Sequence, residues 1–516
     1  MRFESMQTQE KTAVLLIAPE TGKLPEDMGT LARFISGKSG GLGEVVAALC
    51  EGLTERGIEC HLATINLKKR FKKESRLNEE QWREATYKLN PDKIHLVSSA
   101  VFADLPSVYS GDPRLNAAEF QKEMINNVIK AIRGKNAGRL ILHSHDWMAG
   151  GVITAYIKSR GFPILHTIHN VHTGHIPVDM YFGGVDIAKL SPYLYFSRDG
   201  GKTCIDSHAT AIKNATLINS VSEKFLHEIV DDYFLDRPII APGIRHEIKE
   251  KYYHGSTLTI LNAPSTTMHP EHCPHLLSRY GPDDNVMNAK RENLVEFQKR
   301  TGLIVNPDAI LLYWPSRLDP SQKGVELLED IALKFAITYG DVQIAIVGDG
   351  IGSDRTHEEI FGRIACASGG KIAYQSFSES LSLLGYAAAS DVFGASLYEP
   401  CGQIDQLGNL YGATATNRDT GGYHDKIKEL SLQTDGAPRD EGNGFLFRDY
   451  DSNGLWHGLE KSVHFHRRPL EVREEQLKRI MRETREKYAL KSMIDEYVRV
   501  YERLNGGALT SRKSGK

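Results

Sequence analysis

Two α/β domains, each a parallel sheet flanked by helices, are the architecture this chain predicts, on three observations. Short apolar runs bounded by turn residues recur in two separate series along the 516 residues. Stretches with helical apolar spacing lie between the runs, and strands alternating with helices imply parallel sheets. A segment rich in Pro, His and charge, HPEHCPHLLSRYGPDDNVMNAKREN (269–293), separates the two series and reads as a connection. The length agrees, being too great for one ordinary core.

Taken in order, the first series is AVLLIAP (13–19), HLATINL (61–67), LILHSHD (140–146), PILHTIHN (163–170) and TLINSVS (216–222). LGEVVAALCEGLTERG (42–57) has helical spacing and ends at Gly57, a residue suited to a helix C-cap. The second series is AILLYWPSRL (309–318), VQIAIVGDG (342–350), KIAYQSF (371–377), DVFGASLY (391–398) and GATATNRD (412–419). A strongly helical stretch from Leu470 to Leu504 closes the chain, with a return across the first domain as its expected course. The expected boundaries are 1–285 for the first domain, 286–480 for the second, 481–505 for the returning helix and 506–516 for a disordered tail.

Composition narrows the function. The formal net charge is −3, so no global electrostatic footprint for nucleic acid or a membrane surface exists. No stretch approaches the roughly 18 apolar residues of a membrane-spanning helix, and the N-terminus lacks the basic start and small-residue cleavage site of a signal peptide. A cytoplasmic protein is the expectation. The six cysteines are dispersed without a C-x-x-C pair, which argues against a disulfide framework or structural zinc. HSH (143–145), HFH (464–466) and HPEHCPH (269–275) are weak metal signals, and no metal is expected.

Strand ends are where chemistry sits in such folds. GKSGGLGEVV (37–46) follows the first strand. A P-loop would need Gly where Ala32 stands, and glycines at 37, 40, 41 and 43 do not fit G-x-G-x-x-G. Lys38, Gly40 and Gly41 still offer a charge and a helix N-terminus to an anion. A ligand-free Gly-rich turn fits them equally well. Asp146 and Trp147, like His169 and Asn170, end apolar strands in groups that suit a sugar, with acceptors for hydroxyls and a ring for stacking; buried residues satisfying local hydrogen bonds are the alternative. Arg317 and Lys323 lie in one polar turn and together could neutralise a diphosphate, although alone they read as a solvated loop. Gly348 leaves room for close backbone approach. Glu399, Cys401 and Gly402 end one later strand, and Thr420 and Gly421 another.

In this order along the chain, the motifs resemble those of the bacterial glycogen synthase and plant starch synthase family, retaining glycosyltransferases of family five. KSGGLGEVV, HSHDWMAG, TIHN and EPCG match its motifs, RDTGGYHD comes close, and INSVSEKFLHEI resembles the end of its N-terminal domain. The resemblance spans about residues 13–505. It implies the GT-B fold, two Rossmann-like domains facing across a deep cleft, the first binding acceptor and the second the nucleotide sugar. It further implies transfer of glucose from ADP-glucose or UDP-glucose to the non-reducing end of an α-1,4-glucan, with retention, no cofactor and no metal. On the matched positions, His169, Glu399, Lys323 and Arg317 would be catalytic. Lys38, Gly40, Gly41, Arg317, Lys323, Gly348, Cys401, Gly402, Thr420 and Gly421 would bind donor. Asp146, Trp147, Asn170 and Asn262 would bind acceptor or sugar. Retention without an obvious second carboxylate favours front-face attack, and domain closure on substrate is expected. Homo-oligomerisation is left open.

Several departures bear on specificity. RLDPSQKG is one residue longer than the family's turn. QIDQ follows EPCG where the family has apolar or neutral groups, and an acidic Asp405 beside a diphosphate would repel it unless turned away or paired. Leu397 stands for an Arg, Leu383 and Leu384 for a His-Arg pair, and NAPS (262–265) keeps Asn262 but loses an acid. An insertion at 20–36 suggests a flap or an interface. Two other readings therefore stay open: a related retaining enzyme with a small acceptor, sucrose-synthase-like or maltoside-forming, and a catalytically inactive sugar-nucleotide sensor.

Overall fold

The structure, a computed structural model, describes residues 12–25, 28–29, 31–37, 40–87, 93–135, 139–350, 355–430 and 441–509. The chain divides into two compact units. One runs through Val221 and adds His227–Ile260 and the segment from Lys491; the other comprises Ser222–Leu226 and Leu261–Leu490.

The first unit is built on strands β1 (Ala13–Ile17), β2 (Glu59–Ile65), β3 (Ile94–Val97), β4 (Leu140–His145) and β5 (Ile164–Ile168). A three-stranded antiparallel insertion follows, β6 (His175–Pro177), β7 (Phe196–Asp199) and β8 (Lys202–Asp206), and then β9 (Leu217–Ser220) and β10 (Thr257–Thr259). The main sheet has the order β10-β9-β5-β4-β1-β2-β3 and is parallel throughout. β1, β4 and β5 are buried along their whole length. Helices cover both faces of such a sheet, which explains their continuous apolar runs. The strand order reverses between β1 and β4, so the loops after these two strands diverge and leave a crevice at their carboxyl ends.

The second unit repeats this logic with β11 (Ile310–Trp314), β12 (Val342–Val347), β13 (Ile372–Gln375), β14 (Asp391–Gly394), β15 (Thr414–Arg418) and β16 (Gly444–Phe447). Their order is β13-β12-β11-β14-β15-β16, again parallel, with the switch between β11 and β14.

The unit boundary lies at 260/261, where the sequence suggested 285/286. Cys273, Leu276 and Tyr280 explain the difference, because they share an apolar core with Phe297, Tyr411 and Met481. Tyr280 also donates its hydroxyl to the Tyr411 carbonyl at 2.8 Å. At the other end, helix Leu470–Lys487 stays with the second unit, packing Leu477 and Ile480 on Phe445 and Phe465. The returning helix is thus Leu490–Asn505, starting later than residue 481. It docks on the first unit: Tyr501 Oη lies 2.7 Å from His143 Nδ1, and Tyr497 accepts from Asn219 Nδ2 at 3.0 Å. Of the expected tail, 510–516 lies outside the described residues, whereas Gly507 and Ala508 accept hydrogen bonds from Asn505.

The insertion at 20–36 packs into its unit. Leu24, Met28, Leu31, Ala32 and Ile35 are buried, and Gly22 N donates to the Gly43 carbonyl at 2.6 Å. That leaves little of the expected flap.

Candidate active site

In the first unit, the β4 and β5 ends assemble a hydrogen-bonded turn. These strands are neighbours with His145 paired to Thr167, so Asp146 and His169 emerge side by side. Asp146 adopts φ +55°, a conformation few non-glycine residues take. Its Oδ1 accepts from the backbone N–H of His169 at 2.7 Å and of Asn170 at 3.2 Å. Strain at a strand end is thereby exchanged for a fixed carboxylate, an arrangement common at functional sites. Burial lifts the Asp146 carboxyl to about 7, against the two N–H groups that pull it down.

His169 Nε2 lies 3.0 Å from His145 Nδ1. Burial, then the neighbouring His208, lowers His169 to about 3, so the ring is neutral at physiological pH. Trp147 is half-buried with its ring against Gly174, where a Cβ would come within 2.3 Å of Cζ3. Asn170 spends its Oδ1 on the N–H of Val171 at 2.7 Å. After β1, Gly40 is the N-cap of helix Gly41–Glu55, and both glycines are exposed, leaving the helix end open. Lys38 lies outside the described residues.

In the second unit, charge takes the place of neutral groups. Lys323 Nζ donates to Glu399 Oε2 at 2.6 Å, and Ser396 Oγ donates to the same oxygen at 2.9 Å. Glu399 is 6% exposed. Burial alone would raise its carboxyl, but the Lys323 charge, the hydrogen bonds from Lys323 and Ser396 and the Lys426 charge together outweigh burial and hold it below the usual carboxylate range. The loop after β11 reaches the loop after β14 through backbone, Leu397 N donating to the Gln322 carbonyl at 2.7 Å. Gly324 takes φ +65°, and a Cβ there would stand 2.3 Å from the Ala395 carbonyl oxygen. Arg317, on the same loop, is exposed.

The loop after β15 closes on Glu399 from another side. Gly421 has φ +45°, and any Cβ would fall 1.8 Å from the Glu399 carbonyl oxygen. Gly422 N donates to that carbonyl at 2.9 Å. Buried Thr420 precedes this turn as its N-cap residue. Cys401 is buried, and Gly402 (φ +65°) abuts the Tyr423 ring. These glycines serve close packing of the protein on itself. Gly348 does likewise: the space beside it belongs to the Ser316 carbonyl, 1.9 Å from where a Cβ would sit. Asn262, grouped by sequence with Asp146, belongs to the second unit, where its carbonyl accepts from Gln406 Nε2 at 2.9 Å.

Sequence reading missed Lys426. Its Nζ donates to Asp405 Oδ1 at 2.8 Å and to the Gly402 carbonyl, with both side chains essentially excluded from solvent. The unexpected acid after EPCG is therefore paired. Leu383 and Leu384 are buried in the unit's apolar core, accounting for the missing His-Arg pair. Arg418 donates to the Leu397 carbonyl at 2.6 Å, fixing the segment that carries Glu399. Among the described residues no group of three or more His, Cys, Asp or Glu side chains is arranged to hold a metal ion, and no helix is long and apolar enough to cross a membrane.

Residues 30–238 match the model of the starch synthase catalytic domain. The chain is a glycosyltransferase similar in sequence to the glycogen and starch synthases. A glycogen synthase of Exiguobacterium sibiricum is 26% identical over 461 residues, covering 84% of this chain and 90% of the relative. One from Geobacillus thermodenitrificans is 26% identical over 496 residues, 90% of this chain and 95% of the relative. Among solved structures, the catalytic domain of starch synthase IV from Arabidopsis thaliana, bound to ADP and acarbose, superposes with a TM-score of 0.74 at 18% identity, covering 96% of this chain and all of that one. Sucrose-phosphate synthase from Thermosynechococcus elongatus gives 0.57 at 14% identity, covering 96% of this chain and 100% of that one.

Proposed function

We propose that the chain elongates α-1,4-glucan in the cytoplasm, moving glucose from ADP-glucose to a non-reducing end with retention of configuration. The observation that carries this reading is the buried Lys323–Glu399 pair, 2.6 Å apart, on the loops that flank the β11/β14 switch point. Departure of the diphosphate leaves an oxocarbenium-like sugar and an extra negative charge. Lys323 and Arg317 answer the charge on the diphosphate, and Glu399, kept ionised, holds sugar hydroxyls or the developing positive charge. Such preorganised electrostatics are usually the largest catalytic term, and one donor is typically worth about 3 kcal/mol, or ~100-fold in rate. Lys38, Gly40 and Gly41 add donors for phosphate, and backbone of Gly348, Cys401, Gly402, Thr420 and Gly421 lines the donor's path. Asp146, His169, Trp147 and Asn170 hold the sugar side. Neutral His169 hydrogen-bonds the transferred sugar without adding charge beside the forming cation.

ADP is preferred as the donor's nucleotide because the starch synthase IV structure carries ADP. The small-acceptor reading rested on the altered QIDQ and NAPS segments. Pairing of Asp405 with Lys426 weakens that motive, since the carboxylate is buried and spent.

The test is nucleoside diphosphate release from ADP-glucose, UDP-glucose or GDP-mannose, each with glycogen, maltooligosaccharides, fructose or no acceptor. Glycogen- or maltooligosaccharide-dependent release from ADP-glucose is expected. Release with fructose alone would establish the small-acceptor reading, and no turnover with any pair would favour a sensor.

A further inference from the structure

A buried amide far from the motifs governs the turn that presents Asp146. Gln121 lies on helix Pro113–Glu123 and is 0% exposed. Its Nε2 donates to the Met148 carbonyl at 3.2 Å and to Ser207 Oγ at 3.0 Å. Its Oε1 accepts from Val152 N at 3.1 Å and from the Tyr181 hydroxyl at 2.8 Å. All four hydrogen-bonding positions of the amide are filled, two of them by backbone of the 146–152 segment. Ser207 completes the grip by donating to the Trp147 carbonyl at 2.6 Å. Gly151, at φ +50°, has no room for a side chain, since a Cβ would lie 2.4 Å from Gln121 Oε1. The helix continues as a π-turn over Met124–Val128, an irregularity that often accompanies functional sites.

We infer that Gln121, acting with Ser207, is a positioning residue that holds Asp146 in its left-handed conformation and so fixes the sugar-side geometry of the transferase. Asp tolerates φ +55° better than most side-chain-bearing residues, yet the conformation still costs energy and is held by contacts on both sides of it. Its own carboxylate grips only the following strand end, at His169 and Asn170. The turn on its C-terminal side is gripped by Gln121. A side chain of the same length without an amide would release Met148 and Val152 together and let the turn relax. The functional part of this inference rests on the proposed sugar-side role of Asp146.

The test compares Gln121→Met, Gln121→Glu and Ser207→Ala with the parent protein. The Glu variant keeps the acceptor oxygen but cannot donate to Met148 or Ser207 when ionised. KM for maltooligosaccharide is expected to rise about tenfold in Gln121→Met, a loss of about 1.4 kcal/mol, and less in Ser207→Ala. Hydrogen exchange supplies a readout independent of turnover: amides of His169, Asn170 and Val152 should lose protection while the rest of the first unit keeps it. Unchanged exchange at these amides together with an unchanged acceptor KM would overturn the inference. So would uniform loss of protection across the unit in all three variants, which would make Gln121 a mere fold residue. If the parent shows no glucan-dependent transfer but the local exchange change appears, the synthase reading fails and the positioning role of Gln121 stands.

Discussion

The two units place polar groups at equivalent switch points but build them from different materials. At the β1/β4 switch the first unit uses neutral or near-neutral groups: imidazoles uncharged through burial, backbone N–H donors and a carboxyl lifted to about 7. At the β11/β14 switch the second unit uses buried ion pairs, Lys323 with Glu399 and Lys426 with Asp405. On the proposed function, the difference matches the kind of ligand each unit would handle. A sugar's hydroxyls are met by many modest hydrogen bonds in fixed directions. A diphosphate demands full charges, and those must be neutralised among themselves before it arrives.

The largest effects should come from breaking the charged side. Glu399→Gln removes the anion while preserving shape, and glucan-dependent turnover should fall by about 100-fold or more. Circular dichroism should show the protein still folded, because Lys323 retains a hydrogen-bond acceptor. Asp405→Ala differs, since it strips a buried ammonium of its counter-charge and leaves it the Gly402 carbonyl and the face of the Tyr423 ring. Removing one member of a buried pair typically costs 3–5 kcal/mol, so denaturant unfolding of the second unit should shift by about that amount. The double replacement Asp405→Gln with Lys426→Met should recover most of the loss. Failure to recover would mean that the pair shapes the Gly402 turn and does more than balance charge.

The neutral side makes an opposite prediction about pH. His143, His145, His166, His169 and His208 are all held below the ordinary imidazole value, chiefly by burial, His208 to about 4 and His169 to about 3. A group whose folded value is depressed binds its proton in the unfolded chain first. The stability it preserves is complete above about 6.5 and declines as pH falls toward the folded value, by at most about 1.4 kcal/mol per pH unit for each ring. Asp146, gaining a proton in the folded state near 7, and Glu247, raised by burial, work the other way, but two carboxyls oppose five imidazoles. Thermal unfolding followed from pH 7 to pH 4.5 should therefore show the first unit losing stability steeply. A flat profile would mean the rings are solvated and the site is not neutral.

How much of this was legible in the sequence follows the same division. Ten runs were read as strands, and each overlaps one, β2 beginning two residues before its run, because a strand covered on both faces is largely apolar. β3, β10 and β16 escaped, as did the antiparallel insertion. They are three to five residues long, and IHLV or TLT carries too little pattern to stand out from its surroundings. The site motifs were legible as local strings at strand ends, HSHDW, TIHN and EPCG. Lys426 and Gln121 were not, because their meaning lies in partners that only the fold supplies: Asp405 twenty-one residues earlier, Met148 and Ser207 on other elements. The domain boundary slipped for a related reason. A Pro- and His-rich stretch looks like a linker by composition, yet Cys273, Leu276 and Tyr280 within it face a core.

The smallest expected effect sharpens the contrast between the units. His143 is bonded at both nitrogens, to Tyr501 Oη at 2.7 Å and to Thr167 Oγ1 at 2.8 Å. This neutral chain connects the returning helix to β4 and β5, the strands that carry Asp146 and His169. Tyr501→Phe removes one hydroxyl and leaves one imidazole nitrogen without its partner, which should cost about 1–3 kcal/mol. Acceptor KM should stay within twofold, because Gln121 and the His169 and Asn170 amides still hold the turn. Unfolding by denaturant with activity measured in parallel would check both halves. A loss as large as that from Asp405→Ala would mean that neutral contacts in the first unit are as tightly coupled as the ion pairs of the second. Two kinds of site would then differ in charge alone and not in how much each single bond is worth.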